Sequence, residues 1–155
     1  MNREDALRSY HRLRIDRARV SRYLAEIRKG SMELRTLVAE NHLRSDAIAL
    51  KAAKYLLIEL AEGMANTLQH ILAKDMGVPV SGDIDTIAKA HQAAIVDADL
   101  FGRLKPFFDF RNSLVHRYWT TDDERLIGNI ENGTGDFDRF IEAVESYLAQ
   151  DLEKE

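Results

Sequence analysis

Across 155 residues the chain has only two prolines and eight glycines, and between them apolar side chains return every three or four positions. That spacing is the period of an α-helix, and a chain with so few breakers has little reason to leave it. An isolated amphipathic helix cannot bury its own apolar stripe, so such stripes must pack on one another. The expected fold is all-α, an up-and-down bundle of about five helices, in a single domain over 1–155. The 45 % of hydrophobic residues suffices for one core.

The apolar pattern divides the chain into segments. Tyr10, Leu13, Val20, Leu24 and Ile27 share a face and Gly30 follows them, which predicts a first helix over 2–29 with a C-terminal glycine. A second helix over 32–75 carries the richest stripe, from Leu57 to Leu72. Tyr55, Ile58, Ala65 and Gln69 widen it beyond one neighbour's reach. So broad an arc belongs to a helix central in its own bundle or shared with a second subunit. Gly77, Pro79 and Gly82 mark a loop, followed by a short helix over 83–94. The next covers 97–117, with Pro106 at its first turn or kinking it. Thr121-Asp122-Asp123-Glu124 reads as a capping box opening the last helix. From Leu126 to Leu148 the apolar residues hold one phase across Asn132-Gly133-Thr134-Gly135, which predicts one helix with a weak point.

Charge and composition narrow the function classes. With no cysteine, disulfides and thiolate metal sites are excluded, and the composition suits a reducing compartment. The charged start, Met1-Asn2-Arg3-Glu4-Asp5, leads into no apolar h-region, and no apolar run approaches the roughly 20 residues of a membrane span. A cytoplasmic protein with no membrane partner is expected. The net charge of −4 conceals a gradient. Residues 1–35 carry ten Lys/Arg against five Asp/Glu, whereas 120–155 carry three against eleven. The basic start can track phosphates and the acidic end can meet a basic partner; both also fit solvated helix faces.

One residue breaks the apolar pattern in a way that asks for chemistry. On the 97–117 helix Leu104, Phe107, Phe108, Leu114 and Val115 form the apolar line, and Arg111 falls at its centre. A guanidinium keeps its charge when buried, so it must be paired, lie on a wet seam or face a ligand. Asn112 and His116 share the flank of this stripe, while His116 lies about 140° around the axis from Arg111. An unwound helix end or a two-fold axis would bring arginine and histidine to one site. RNA cleavage without a metal needs a base for the 2′-hydroxyl, an acid for the leaving 5′-oxygen and a fixed cation for the phosphorane. Two histidines and two arginines, one of each per chain, meet that need. The same residues also fit an Arg111–Glu62 ion pair with His116 capping the helix end, so both readings stay open at the level of the residues.

The string Arg111-x4-His116-x-Tyr118, with Asn112 after the arginine, resembles the signature of HEPN ribonuclease toxins of the HepT group. The likeness extends to Glu62, Gln69-His70-Ile71, the Gly-Val-Pro loop at 77–79 and Asp136-Phe137-x-x-Phe140. It implies a HEPN bundle forming a homodimer, an RNA substrate, and catalysis by Arg111, His116 and Asn112 in a composite interface cleft, with neither metal nor cofactor. It also implies an MntA-type nucleotidyltransferase antitoxin that silences the toxin by AMPylation of Tyr118, as in a type VII-like toxin–antitoxin pair. Glu62, Arg117 and Trp119 are expected to support the cleft. Glu62 is expected to hold Arg111, and Trp119 to stack on a base or anchor the helix end. The second reading is a catalytically inactive HEPN module serving as adaptor to a minimal nucleotidyltransferase.

Other polar residues suggest less. His70 with Glu59 and Glu62 lacks the Glu-x-x-His spacing of helical di-metal sites. Arg17 interrupts the first stripe and is expected to snorkel. His11, His42 and His91 stand outside any constellation.

Overall fold

The computed structural model describes residues 2–4, 15–115 and 122–153. Within these lie six helices: α1 (Arg17–Glu40), α2 (Ala47–Met76), α3 (Gly82–Gln92), α4 (Ala98–Val115), α5 (Asp123–Gly133) and α6 (Asp136–Glu153). The all-α expectation holds, and the boundaries shift for identifiable reasons.

Gly30 does not end the first helix; α1 runs through it to Glu40. A Cβ at Gly30 would stand 3.1 Å from Leu60 Cδ2, and one at Gly63 would stand 3.0 Å from Ile27 Cγ1. These glycines let α1 and α2 approach closely, where larger side chains would overpack the seam. Residues 32–40, assigned from sequence to the second helix, therefore complete the first. The break comes at 41–46. There Asn41 bonds back to the Leu37 carbonyl, and Asp46 accepts from the Ile48 and Ala49 amides as the N-cap of α2. An aspartate supplies acceptors for amides that have no partner in a first turn, so it starts a helix more readily than it continues one.

The contacts between Gly63 and Ile27 and between Gly30 and Leu60 set α1 and α2 antiparallel. Arg28–Glu145 and Arg35–Asp138 ion pairs set α6 antiparallel to α1, and Phe107 meets Phe137 between α4 and α6. Fourteen residues of α2 are buried. They include Leu57, Leu60, Met64, Leu68, Ile71 and Ala65, so most of the broad stripe is spent on the chain's own core. Centrality, one of the two readings of that stripe, accounts for most of it; Tyr55 remains exposed. Gly77 closes α2 at φ 64°, with the Gly77 and Val78 amides donating to Ala73 and Leu72. This left-handed cap needs no Cβ.

Two further boundaries differ from expectation. The N-cap of α5 is Asp122, which accepts from the Arg125 amide; Thr121 lies outside the described residues. The closing segment is two helices parted at Thr134 and Gly135, not one. At this junction Asp136 is buried and accepts from Arg103 Nε at 2.7 Å, while Arg103 also donates to the Asn132 carbonyl. Both helices still present Leu126, Ile130, Phe137, Phe140 and Val144 to the core, which explains the unbroken apolar phase. Pro106 lies well inside α4, which continues through it.

His70 is nearly buried, and its Nε2 accepts from the Asp16 amide at 2.9 Å, pinning the start of α1 to α2. Burial lowers its pKa from 6.5, aided by the Arg19 and Lys74 cations and opposed by Asp16. The unfolded chain therefore binds this proton more readily, and the stabilisation by neutral His70 is complete above about 6.5 and fades as the pH falls below it. Thermal melts from about pH 7.5 to about pH 5 should show a falling midpoint, and His70→Gln should flatten that slope. An equal slope in the variant would reject the assignment.

Candidate active site at the end of helix α4

The first turn of α3 and the last turns of α4 meet where α2 ends. Asp83, the second residue of α3, sits where the helix dipole favours an acid. The Thr86 hydroxyl donates to the Gly82 carbonyl at 2.7 Å, and the Gln69 amide donates to Thr86 at 3.3 Å. These bonds fix the α3 start against α2. Asp83 accepts from Arg111 Nη1, in an ion pair whose side chains are 9 % and 24 % exposed.

The mid-stripe arginine is thus paired, as its burial requires, but its partner is Asp83 and not Glu62. Glu62 lies exposed on α2. The sequence placed an acid at the start of the 83–94 helix, yet nothing in it linked positions 28 apart across two helices. The ion pair uses one terminal nitrogen, Nη1, of Arg111. The guanidinium has five N–H donors in a fixed fork, a geometry that matches the oxygens of a carboxylate or a phosphate. A cation held by a rigid neighbour loses little freedom on gripping such a ligand.

Asn112 is half-buried one position further on, and the Ser113 hydroxyl donates back to the Phe110 carbonyl at 2.7 Å. His116, Arg117, Tyr118 and Trp119 lie outside the described residues, so their placement relative to Arg111 is not part of the site's geometry. Elsewhere, Arg17 does more than snorkel: it approaches Asp151 at 3.5 Å and donates to the Leu148 carbonyl, tying α1 to the end of α6. His91 stacks on Phe101 with ring centroids 4.9 Å apart, and His42 is exposed. His11 lies outside the described residues. Among the described residues no group of three His, Cys, Asp or Glu is arranged to hold a metal ion, and no helix is long and apolar enough to cross a membrane.

Comparison with known proteins now bears on this corner. Residues 19–144 match the family described as ribonuclease HepT-like, a span that contains α2 to α5 entire and Arg111 with the string that follows it. The chain belongs to the HepT-like ribonuclease family. A provisionally assigned RNase of Archaeoglobus fulgidus is 32% identical over 84 residues, which is 54% of this chain and 64% of that relative. The chain therefore spans just under two thirds of this relative's length. Among solved structures, the tri-AMPylated HEPN toxin of Shewanella oneidensis, in complex with its MNT antitoxin, superposes with a TM-score of 0.74 at 16% identity, over 83% of this chain and 97% of that one. A mutant MntA–HepT toxin–antitoxin structure superposes at 0.72 and 16% identity, over 83% and 98%. At such identities the likeness is one of fold, and the HepT-like bundle here is HEPN-like. Expectation and comparison agree on the family.

Because Asp83 is the buried carboxylate of the pair, its removal would leave Arg111 partly desolvated without a counter-charge. Asp83→Ala should lower unfolding free energy by about 1–3 kcal/mol in urea titrations, and Asp83→Glu should lose less. Equal stability in Asp83→Ala would show that the pair contributes nothing net.

Proposed function

We propose that this HepT-like chain is a metal-independent endoribonuclease, the toxin of a type VII-like HEPN/MNT toxin–antitoxin pair. The observation that carries the reading is Arg111. It opens the Arg-x4-His-x-Tyr string of a chain in this family, and a buried acid holds it through Nη1. The fold neighbours are toxins paired with antitoxins, which supports the same assignment for the system.

In the proposed mechanism a homodimer brings two copies of the segment from Arg111 to Tyr118 to one cleft. One His116 takes the proton of a ribose 2′-hydroxyl, whose oxygen attacks the adjacent phosphorus. The other His116 protonates the departing 5′-oxygen, leaving a cyclic phosphate and a free 5′-hydroxyl. Arg111, oriented by Asp83, stabilises the additional charge on the phosphorane. Asn112 offers an amide to a phosphate or sugar oxygen, Arg117 adds positive charge, Trp119 packs beside a base, and Glu62 belongs to the cleft wall. No cofactor takes part. Purified protein in EDTA should cut RNA, and His116→Ala and Arg111→Ala should slow the cut by roughly 10²–10⁴-fold. Intact RNA with the parent protein would leave the second reading, an inactive HEPN adaptor of a nucleotidyltransferase.

Control by the antitoxin would act on Tyr118, two residues from His116. AMP units added to its hydroxyl would bring phosphate charge and bulk to the arginines that otherwise receive RNA. The AMP units on the Shewanella toxin motivate this step. Incubation with ATP and a cognate MntA-type nucleotidyltransferase should add AMP masses to the parent and none to Tyr118→Phe; an adduct persisting on the variant would move the modified residue elsewhere.

A further inference from the structure

Arg17, Arg28 and Arg35 answer to acids of α6, but they do not use up the basic start of the chain. Arg19 and Arg22, one turn apart on α1, are exposed, and Arg19 reaches only Asp16, at 3.9 Å. Arg22, and Lys74 half-buried in the last turn of α2, form no ion pair with any described residue. The bond from the Asp16 amide to His70 Nε2 gathers these cations. Arg19 lies one turn beyond Asp16 on α1 and Lys74 one turn beyond His70 on α2, so each shares a face with one end of that bond. Burial, and then the Arg19 and Lys74 cations, lower the His70 pKa against the opposing Asp16, as charges facing the ring must. The Asp16 carboxylate already caps α1 by accepting from the Arg19 amide, and Asp75, next to Lys74, is buried and takes the Tyr147 hydroxyl. Three cations around one engaged carboxylate repel one another, and a polyanion relieves that repulsion.

This patch borders the Arg111 corner across the last turns of α2. Gln69 donates to Thr86 of α3, one turn beyond the Asp83 that holds Arg111, and His70, the next residue, receives the start of α1. At 3.6 residues per turn, Asn66 and Ala73 project between the directions of Gln69 and His70. Ala73 is exposed and Asn66 half-buried, so α2 presents a shallow strip to solvent there, with α3 on one side and α1 on the other. Tyr23, half-buried one turn beyond Arg19, shares the face of that arginine. Farther along, the strip turns acidic, with Glu59 and Glu62 on α2 and Glu26 on α1 all exposed. A polyanion is therefore directed across the end of α2, from Arg111 toward Arg19 and Lys74, and not along the α1–α2 groove. An aromatic ring and an amide set among cations fit a single-stranded nucleic acid better than an acidic protein.

We propose that Arg19, Arg22 and Lys74 form a phosphate-tracking surface for single-stranded RNA, continuous with the Arg111 corner across Ala73, with Tyr23 stacking on a base. The choice of RNA rests on the ribonuclease reading, although the surface uses none of its catalytic residues.

The full-length His116→Ala protein, with cutting removed, tests the surface by anisotropy of a fluorescein-labelled single-stranded RNA over a salt series. Arg22→Gln and Lys74→Gln should each weaken binding several-fold and flatten the slope of log affinity against log salt by about 0.7, the share of one phosphate contact on a single strand. Lys51→Gln, exposed near the other end of α2, should leave both unchanged. Circular dichroism melts of all three should match those of the His116→Ala protein, which separates lost contacts from lost fold. With His116 intact, the Arg22→Gln, Lys74→Gln double variant should raise KM for RNA about tenfold and hold kcat, since neither residue touches the reacting atoms. Ultraviolet cross-linking should place RNA on the peptide that holds Tyr23. Unchanged salt slopes, an equal loss in Lys51→Gln, an unchanged KM or a cross-link confined to other peptides would each overturn the proposal. Loss of nucleotidyltransferase binding with RNA binding intact would overturn it too. RNA bound with these slopes yet left whole by the parent protein would instead sink the ribonuclease reading alone.

Discussion

The burial of α2 on several sides at once is the constraint from which the bundle follows. α1, α3 and α4 all pack against this helix, and α6 closes over α1 and α4. Fourteen of the thirty residues of this helix are buried, so its neighbours must cover it on several sides. The glycines at 30 and 63 make that closeness possible along α1, and the αL cap at Gly77 stops α2 where α3 must turn back. Asp83 then arrives at the α2 end by geometry that the core has already decided.

Around that core the polar contacts hold the ends of helices. His70 and Arg17 fasten the start of α1, Tyr147 donates to Asp75 across α6 and α2, and Arg103 clamps the α5–α6 junction through Asp136. Arg44 reaches Glu124 and Glu131 from the α1–α2 turn, and Lys54 reaches Asp123. The exposed pairs among these are each worth about 1 kcal/mol at most. Their consequence is register: α5 is tied back to the α1–α2 turn at the point where the chain re-enters after the His116 to Tyr118 segment. The catalytic reading depends on that rigidity, because a cation that grips a phosphorane must not have to be assembled each time.

The basic bias of the first residues is partly absorbed in structural pairs: Arg17, Arg28 and Arg35 all bind acids of α6. Part of the charge gradient from basic start to acidic end is thus an α1-to-α6 seam.

The sequence alone determined the helical class, because the apolar period and the scarcity of breakers leave a chain no other way to bury its side chains. It also singled out Arg111, because an unshielded charge inside an apolar stripe contradicts its local pattern, and it carried the family, because Arg111, His116 and Tyr118 keep their spacing in one short string. What it did not contain was pairing across helices. Gly30 reads as a stop signal until Leu60 is seen against it, and 32–46 reads as helix until Asn41 and Asp46 are seen capping. The single phase of the last segment conceals a junction that Asp136 and Arg103 impose. Glu62 and Asp83 are equally plausible partners for Arg111 along the chain. Only tertiary packing chose Asp83, since the α2–α3 turn brings that carboxylate into the apolar seam and leaves Glu62 in water.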